Sequence, residues 1–207
     1  MGSPPATVLT FTLDKNFAAL VFDRDEGRYI GTAFVFLQPH WAVTAKHVVF
    51  RDGLPRRNLG LSFAEKVDCR AELMFAHPTV DLAVLKFSES PCKVPLYPAH
   101  HAFAGSNGLI SVGYKPSRNT QEKGPAVEVN SVPIFAVEKR ELPDGEVEEL
   151  VVFDGDFVEG GHSGGPVLGT GGGVVGVVIE RSENEGEKRV RATSIEPLLR
   201  DLTFAAK

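Results

Sequence analysis

The sequence predicts an all-β protein of two β lobes with a short helix at the C-terminal end. Three observations carry this. Short runs of β-branched and aromatic residues recur along the chain. Glycine (21) and proline (14) punctuate the whole length between them. Only the last stretch has convincing helical spacing. Many short strands separated by turn signals indicate a sandwich or a pair of barrels.

In order, the expected strands are residues 18–22, 30–37, 41–45, 71–75, 82–87, 109–113, 126–130, 151–153, 166–168, 174–180 and 190–193. Residues 88–108 are the least strand-like, with Pro91, Pro95, Pro98, Gly105 and Gly108. They read as a linker between lobes. The expected organisation is therefore a first lobe over 1–90, a linker over 91–108, a second lobe over 109–194 and a helix over 195–207. Ser194 can cap that helix, Pro197 is tolerated in its first turn, and Ile195, Leu198, Leu199 and Leu202 share a face. Residues 138–149 are rich in charge and contain Pro143-Asp-Gly145, the mark of a protruding hairpin. Asp144 at its tip reads as a solvated loop residue.

Bulk properties exclude several classes. A formal net charge of −5 argues against a nucleic-acid binder, which carries a basic stripe. No apolar run approaches the ~18 residues of a membrane span. The first residues lack a basic patch followed by an apolar stretch, so no signal peptide is expected. Two cysteines, Cys69 and Cys92, are no disulfide framework, although a single bridge between them stays open. They suit a reducing, cytoplasmic compartment. Neither has a partner at metal-ligand spacing, so no metal site and no cofactor are expected.

The strongest chemical signal is Gly160-Gly-His-Ser-Gly-Gly-Pro166. A nucleophilic serine needs an exposed hydroxyl on a tight loop and backbone N–H groups aimed at the developing oxyanion. Glycines on both sides let a substrate carbonyl come close to the backbone. The N–H groups of Gly161 and Ser163 would form that hole. The bland reading is a glycine-rich turn with an incidental serine. A second signal is Trp41-Ala-Val-Thr-Ala-Lys-His47, an apolar strand ending in a histidine where the chain leaves the core. A serine hydroxyl needs a base whose pKa lies near the working pH. A third is Asp81-Leu-Ala-Val-Leu-Lys-Phe87, an acidic residue before an apolar strand. Its carboxylate would accept the Nδ1–H of His47 and fix the tautomer. Taken singly, His47 and Asp81 read as a strand-end and a turn residue. Together with Ser163 they form a base, an orienting acid and a nucleophile.

The order His, Asp, Ser, carried by Thr44-Ala-Lys-His47, Asp81-Leu-Ala and Ser163-Gly-Gly-Pro166, resembles the trypsin-like serine proteases of the chymotrypsin fold. Ile30-Gly-Thr-Ala-Phe-Val and Val175-Gly-Val-Val-Ile179 are weaker echoes of it, and the likeness covers roughly residues 17–195. The resemblance implies two six-stranded barrels with the site in the crevice between them. Its short spacings fit compact bacterial-type members, including HtrA-like ones. It places Phe157 near the floor of the primary specificity pocket, with Ile179 and Arg181 on its wall. Phe157 favours a small or apolar substrate side chain. A slip of one residue would put Asp156 there and reverse the preference.

The chain also departs from that family. His162 stands where zymogen-derived members carry an aspartate, and no Ile-Val-Gly-Gly-type start is present, so activation by N-terminal cleavage is not expected. Thr32 and Val48 take the positions of the disulfide that flanks the histidine. His162 reads as a loop side chain rather than as the base. His40, His77, His100 and His101 read as surface residues near turns, and His77, four residues before Asp81, as one that touches the rim of the site.

The expected partner is a protein or peptide substrate, cut through an acyl-enzyme. The competing reading is a binding or sensor module on the same fold, inactive until a regulatory partner aligns the triad. An α/β-hydrolase esterase is disfavoured, since His and Asp precede Ser.

Overall fold

The first lobe is built from short strands whose apolar residues alternate or run unbroken. They are β1 (Ala18–Asp23), β2 (Arg28–Val35), β3 (Trp41–Thr44), β4 (Phe50–Arg51), β5 (Leu54–Pro55), β6 (Leu59–Phe63), β7 (Asp68–Ala76) and β8 (Ala83–Phe87). A single helical turn, α1 (Lys46–Val49), follows β3. The computed structural model describes residues 13–14, 16–64, 67–99, 109–115, 126–155, 161–169, 171–184 and 187–205.

Six strands close into an antiparallel barrel in the order β1-β2-β3-β8-β7-β6, with β6 returning to pair with β1. Leu20, Phe34, Phe36, Leu61, Phe63 and Leu85 are fully buried inside it. β7 begins with exposed Asp68, Arg70 and Glu72 alternating with buried Cys69 and Ala71, one face to solvent and one to the core. Asp52 (φ 51°) and Gly53 (φ 78°) turn β4 into β5. Positive φ at both central residues matches the twist of a tight hairpin.

The second lobe comprises β9 (Leu109–Lys115), β10 (Ala126–Val132), β11 (Ile134–Glu141), β12 (Val147–Asp154), β13 (Pro166–Leu168), β14 (Val174–Asn184) and β15 (Glu187–Ser194). They form a seven-stranded sheet ordered β10-β9-β13-β14-β15-β12-β11, where six strands were expected. The difference is one residue. β10 and β11 are consecutive and separated only by Pro133, which cannot donate to a ladder. One long strand is thus broken in two, and its halves form the two ends of the sheet. The sheet is curled, a half-barrel whose two end strands are joined through Pro133.

The hairpin expected around Pro143-Asp-Gly145 is the β11–β12 turn. Gly145 takes φ 82°, its N–H donates to Leu142 O at 2.9 Å, and Leu142 N–H donates to Glu146 O at 2.8 Å. Its base holds a fully buried carboxylate. Glu148 accepts from Arg140 Nε at 2.8 Å and from the Thr193 hydroxyl at 2.6 Å. A buried charge persists only when so paired. Further out, Phe135 is exposed but lies under the Arg189 guanidinium, 3.9 Å from its ring centroid.

The C-terminal helix α2 (Glu196–Ala205) begins as expected. The Ser194 hydroxyl accepts the Glu196 N–H at 3.2 Å, and Ile195, Leu198 and Leu202 bury their side chains in a core continuous with the first lobe.

The connector between the lobes is hydrogen-bonded at residues 96–99. Leu96 exchanges bonds with the first lobe, Leu96 N–H to Val35 O and Leu37 N–H to Leu96 O, both 2.9 Å. Two residues on, Val174 N–H donates to Tyr97 O at 2.8 Å and Ala99 N–H to Val174 O at 2.9 Å. The segment pairs in parallel with one lobe at Phe36 and with the other at Val174. A second tie is Tyr114 of β9, whose buried hydroxyl donates to Ala18 O of β1 at 2.9 Å. Burial pushes that phenol far above its ordinary range.

Cys69 and Cys92 are both free and buried. Their thiols donate to Glu89 O at 2.7 Å and Val94 O at 3.3 Å, so the bridge left open by sequence is not formed. Desolvation pushes both thiols up, Cys92 to about 11.

Two measurements test this account. Tyr114→Phe should lower the stability by about 1–3 kcal/mol, because it strands a buried carbonyl at Ala18; thermal or denaturant unfolding reads the loss. The second concerns Glu26, whose carboxylate is held to about 2, from 4.5, chiefly by its hydrogen bond from Arg28 and then by that from Arg56. A lowered folded pKa stabilises above 4.5, and that stabilisation is lost as pH falls towards 2. The melting temperature should therefore fall more steeply across that window in the wild type than in Glu26→Gln.

Candidate active site

His47 sits in α1, directly after the apolar strand β3, and Asp81 lies just before β8. β3 and β8 are hydrogen-bonded neighbours, with Thr44 opposite Ala83, so their adjoining ends bring the two residues together. The Asp81 carboxylate accepts twice from His47. Oδ2 lies 2.6 Å from ring Nδ1, and Oδ1 accepts the backbone N–H at 2.8 Å. An ionised carboxylate only accepts, so Nδ1 carries the proton and Nε2 keeps a free lone pair. The His47 side chain is about half exposed, at 47%.

The loop that presents Asp81 is held from within. Lys46 Nζ donates to His77 O at 2.8 Å and to Pro78 O at 3.2 Å, and Lys46 N–H donates to Asp81 O at 3.3 Å. His77, expected at the surface, is buried. Its Nδ1 accepts the N–H of Val80 at 3.0 Å and of Thr79 at 3.3 Å, while Nε2 faces Asp201 of α2 at 3.5 Å. The histidine caps the turn rather than lining the rim. His40 is exposed, as expected, whereas His100 and His101 lie outside the described residues.

Ser163 is the second residue of a turn closed by Gly165 N–H donating to His162 O at 2.8 Å. Gly164 takes φ +87°, the positive value that the third residue of a type II turn needs. This loop is wedged between the lobes. A Cβ on Gly164 would come within 2.1 Å of Thr32 O and 2.2 Å of Thr44 Oγ1, both in the first lobe. On the other side Gly164 N–H donates to Val178 O at 2.7 Å, and Val178 N–H donates to Gly165 O at 2.9 Å. The glycines therefore do two jobs: they permit the turn and they allow backbone to touch backbone.

Ser163 meets the first lobe at β2. Its carbonyl accepts the Thr32 N–H at 2.8 Å. A Cβ on Gly31 would lie 2.8 Å both from Ser163 O and from the γ carbons of Val48, the neighbour of His47. The Ser163 loop and the His47 turn thus converge on one point of β2. This corrects one expectation: Gly31, not Thr32, faces Val48. Thr32 points instead to the serine loop, where its hydroxyl donates to Gly161 O at 2.7 Å.

Gly161 adopts φ +104°, and among the described residues neither its N–H nor that of Ser163 donates to a backbone carbonyl. His162 is buried, its ring against Gly113 of β9, where any Cβ would overlap it. It faces into the second lobe. Ile179 is buried at a bulge in β14, between the pairs Val178–Ala192 and Glu180–Arg191. Arg181 is exposed on the same strand. Phe157 and Asp156 lie outside the described residues. No group able to hold a metal ion occurs among the described residues.

Sequence reasoning missed Thr32 and Gly31 as site-building residues, although Ile30-Gly-Thr-Ala was noticed as a motif. It also missed Lys46 and His77 as supports of the Asp81 loop.

Gly164→Ala should destabilise by about 3 kcal/mol or more, through strain plus overlap with Thr32 and Thr44. Gly27→Ala, with φ +65° but nothing within 4 Å of the new Cβ, should lose only about 1–2 kcal/mol. Unfolding curves of the two variants separate steric from conformational cost.

Comparison with known proteins bears on the fold and the family. No curated protein matches the sequence significantly. Among solved structures, the Rv3671c protease from M. tuberculosis in its active form aligns with a TM-score of 0.71 at 20% identity, over 91% of this chain and 80% of that one. The HtrA-type protease AlgW with tripeptide aligns with a TM-score of 0.70 at 17% identity, over 91% of this chain and 60% of that one. The MamO protease domain from Magnetospirillum magneticum aligns with a TM-score of 0.69 at 15% identity, over 90% and 96%. These likenesses establish the chymotrypsin-like double barrel. The model of the trypsin-like peptidase domain matches residues 31–177, well over half of the sequence, and the chain belongs to that family.

Proposed function

We propose that this protein is a serine endopeptidase in which Ser163 is the nucleophile, His47 the general base and Asp81 the orienting carboxylate. The observation that carries the reading is the pair of hydrogen bonds that the Asp81 carboxylate accepts from the ring and the backbone N–H of His47. It would leave Nε2 as a proton acceptor, on a turn whose Val48 meets Gly31 together with the carbonyl of the partly exposed Ser163. In this reading Nε2 takes the Ser163 proton as Oγ attacks the scissile carbonyl. The N–H groups of Gly161 and Ser163 receive the oxyanion. His47 then gives its proton to the leaving amine, and a water activated by the same ring releases the acyl group. Nothing in the sequence of steps calls for a metal or cofactor. AlgW has been solved with a tripeptide and with a decapeptide, and a protein or peptide substrate is proposed here too. Two free, buried thiols suit the cytoplasmic setting that belongs to this reading.

A fluorophosphonate probe at neutral pH, with the adduct mapped by mass spectrometry, tests the assignment. One adduct per chain on Ser163 is expected, lost in Ser163→Ala and in His47→Ala. Cleavage of an unfolded protein at internal bonds should fall on the order of 10⁴-fold in Asp81→Asn, with the melting temperature little changed. Absence of any adduct on the wild-type chain would favour the sensor reading, in which a partner must first align the site.

A further inference from the structure

The two residues whose N–H groups would receive the oxyanion, Gly161 and Ser163, have their carbonyls held by a single residue of the other lobe. Thr32 donates its hydroxyl to Gly161 O at 2.7 Å and its backbone N–H to Ser163 O at 2.8 Å. A threonine hydroxyl has one proton. Tyr114 N–H donates to the same oxygen at 3.1 Å, which occupies a lone pair and leaves the proton to Gly161. Thr32 is itself immobile. It is fully buried, paired opposite Leu20 in the barrel, and its own carbonyl accepts the Thr44 hydroxyl at 2.7 Å. Gly161, in contrast, is a glycine at φ +104° with no Cβ to resist rotation. Its carbonyl, which belongs to the peptide unit between Gly161 and His162, needs an external pin, and the Thr32 hydroxyl is positioned as one.

We propose that Thr32 is a positioning residue that, from the first lobe, holds the Gly161 and Ser163 carbonyls on either side of the Ser163 N–H and so keeps the oxyanion-binding turn of the second lobe in its productive orientation. This rests on the reading of Ser163 as nucleophile with Gly161 and Ser163 as oxyanion donors. It goes beyond that reading by making the hole a joint product of both lobes. The oxyanion donors work only if they are fixed before charge develops. Releasing the Gly161 carbonyl lets the turn that bears both N–H groups shift, and therefore affects the transition state more than substrate binding.

The test uses the full chain with Thr32→Val, which keeps the shape and removes the hydroxyl, and Thr32→Ser, which restores it. Thr193→Val is the control, because it also deletes a buried hydroxyl bond, to Glu148, but away from the serine loop. Peptide hydrolysis should show kcat lowered about 10- to 100-fold in Thr32→Val with KM within about twofold, and recovery in Thr32→Ser. Thr193→Val should lower the melting temperature and leave kcat in place. Hydrogen–deuterium exchange of residues 161–165 should be faster in Thr32→Val by about tenfold and unchanged in Thr193→Val. If Thr32→Val does not fold, Thr32→Cys, a weak donor of similar size, should fall between wild type and the expected loss. The proposal is overturned if Thr32→Val keeps its kcat and exchange rates, if Thr32→Ser is no better than Thr32→Val, or if kcat merely follows the melting temperature in all variants. If the wild type neither hydrolyses peptide nor reacts with the fluorophosphonate, the nucleophile assignment fails. Exchange then decides the Thr32 pin alone: acceleration at 161–165 upholds it and no change refutes it.

Discussion

Backbone contact between the lobes at Gly164 is the constraint on which the rest of the site depends. The turn that presents Ser163 belongs to the second lobe, but Thr32 and Thr44 of the first lobe leave no space for a side chain on its third residue. The loop is consequently fixed in three directions: by β2 through Thr32, by β14 through Val178, and by its own turn bond from Gly165 to His162. Each contact uses a main-chain group that would otherwise be buried without a partner. The serine loop gains its shape from these bonds together with the buried His162 ring against Gly113.

The histidine side of the site is organised by different means. His47 and Asp81 stand at the ends of adjacent strands, so barrel closure sets their separation. Lys46 and His77 then shape the short loop between β7 and β8, and Asp201 extends the support to the C-terminal helix. The helix thus packs its apolar face into the shared core while its polar face reaches the structure behind Asp81. The two halves of the site meet at Gly31, where any larger residue would displace both Ser163 and Val48.

Much of this was legible in the sequence because it is written in local patterns. Glycines around Ser163 report the turn, and the apolar runs before His47 and after Asp81 report strand ends. Pro143-Asp-Gly145 reports a hairpin. What escaped notice depends on tertiary contact. β6 reads Leu-Gly-Leu-Ser-Phe, and Gly60 and Ser62 hide its alternation, although its five residues are all buried in the barrel. β11 is charged and mostly exposed, and follows a proline, so composition marked its second half as part of a hairpin and left residues 134–137 unassigned, where pairing with β12 continues the strand. His77 resembles any turn histidine until its nitrogens are seen to be committed on both sides. The assignment of Thr32 to the position facing Val48 failed by one residue, and in a strand one residue is the difference between opposite faces.

The connector at residues 96–99 has a consequence for how the molecule moves. Because it hydrogen-bonds to Val35 and Leu37 on one side and to Val174 on the other, it is a shared rib and not a tether. A loose linker would let the two barrels drift apart and come together as independent bodies. Here such separation would first have to tear main-chain bonds at the rib and the Tyr114–Ala18 bond across the interface. Adjustments at the crevice are therefore confined to the loops that border it, and the two barrels behave as one solid frame around them.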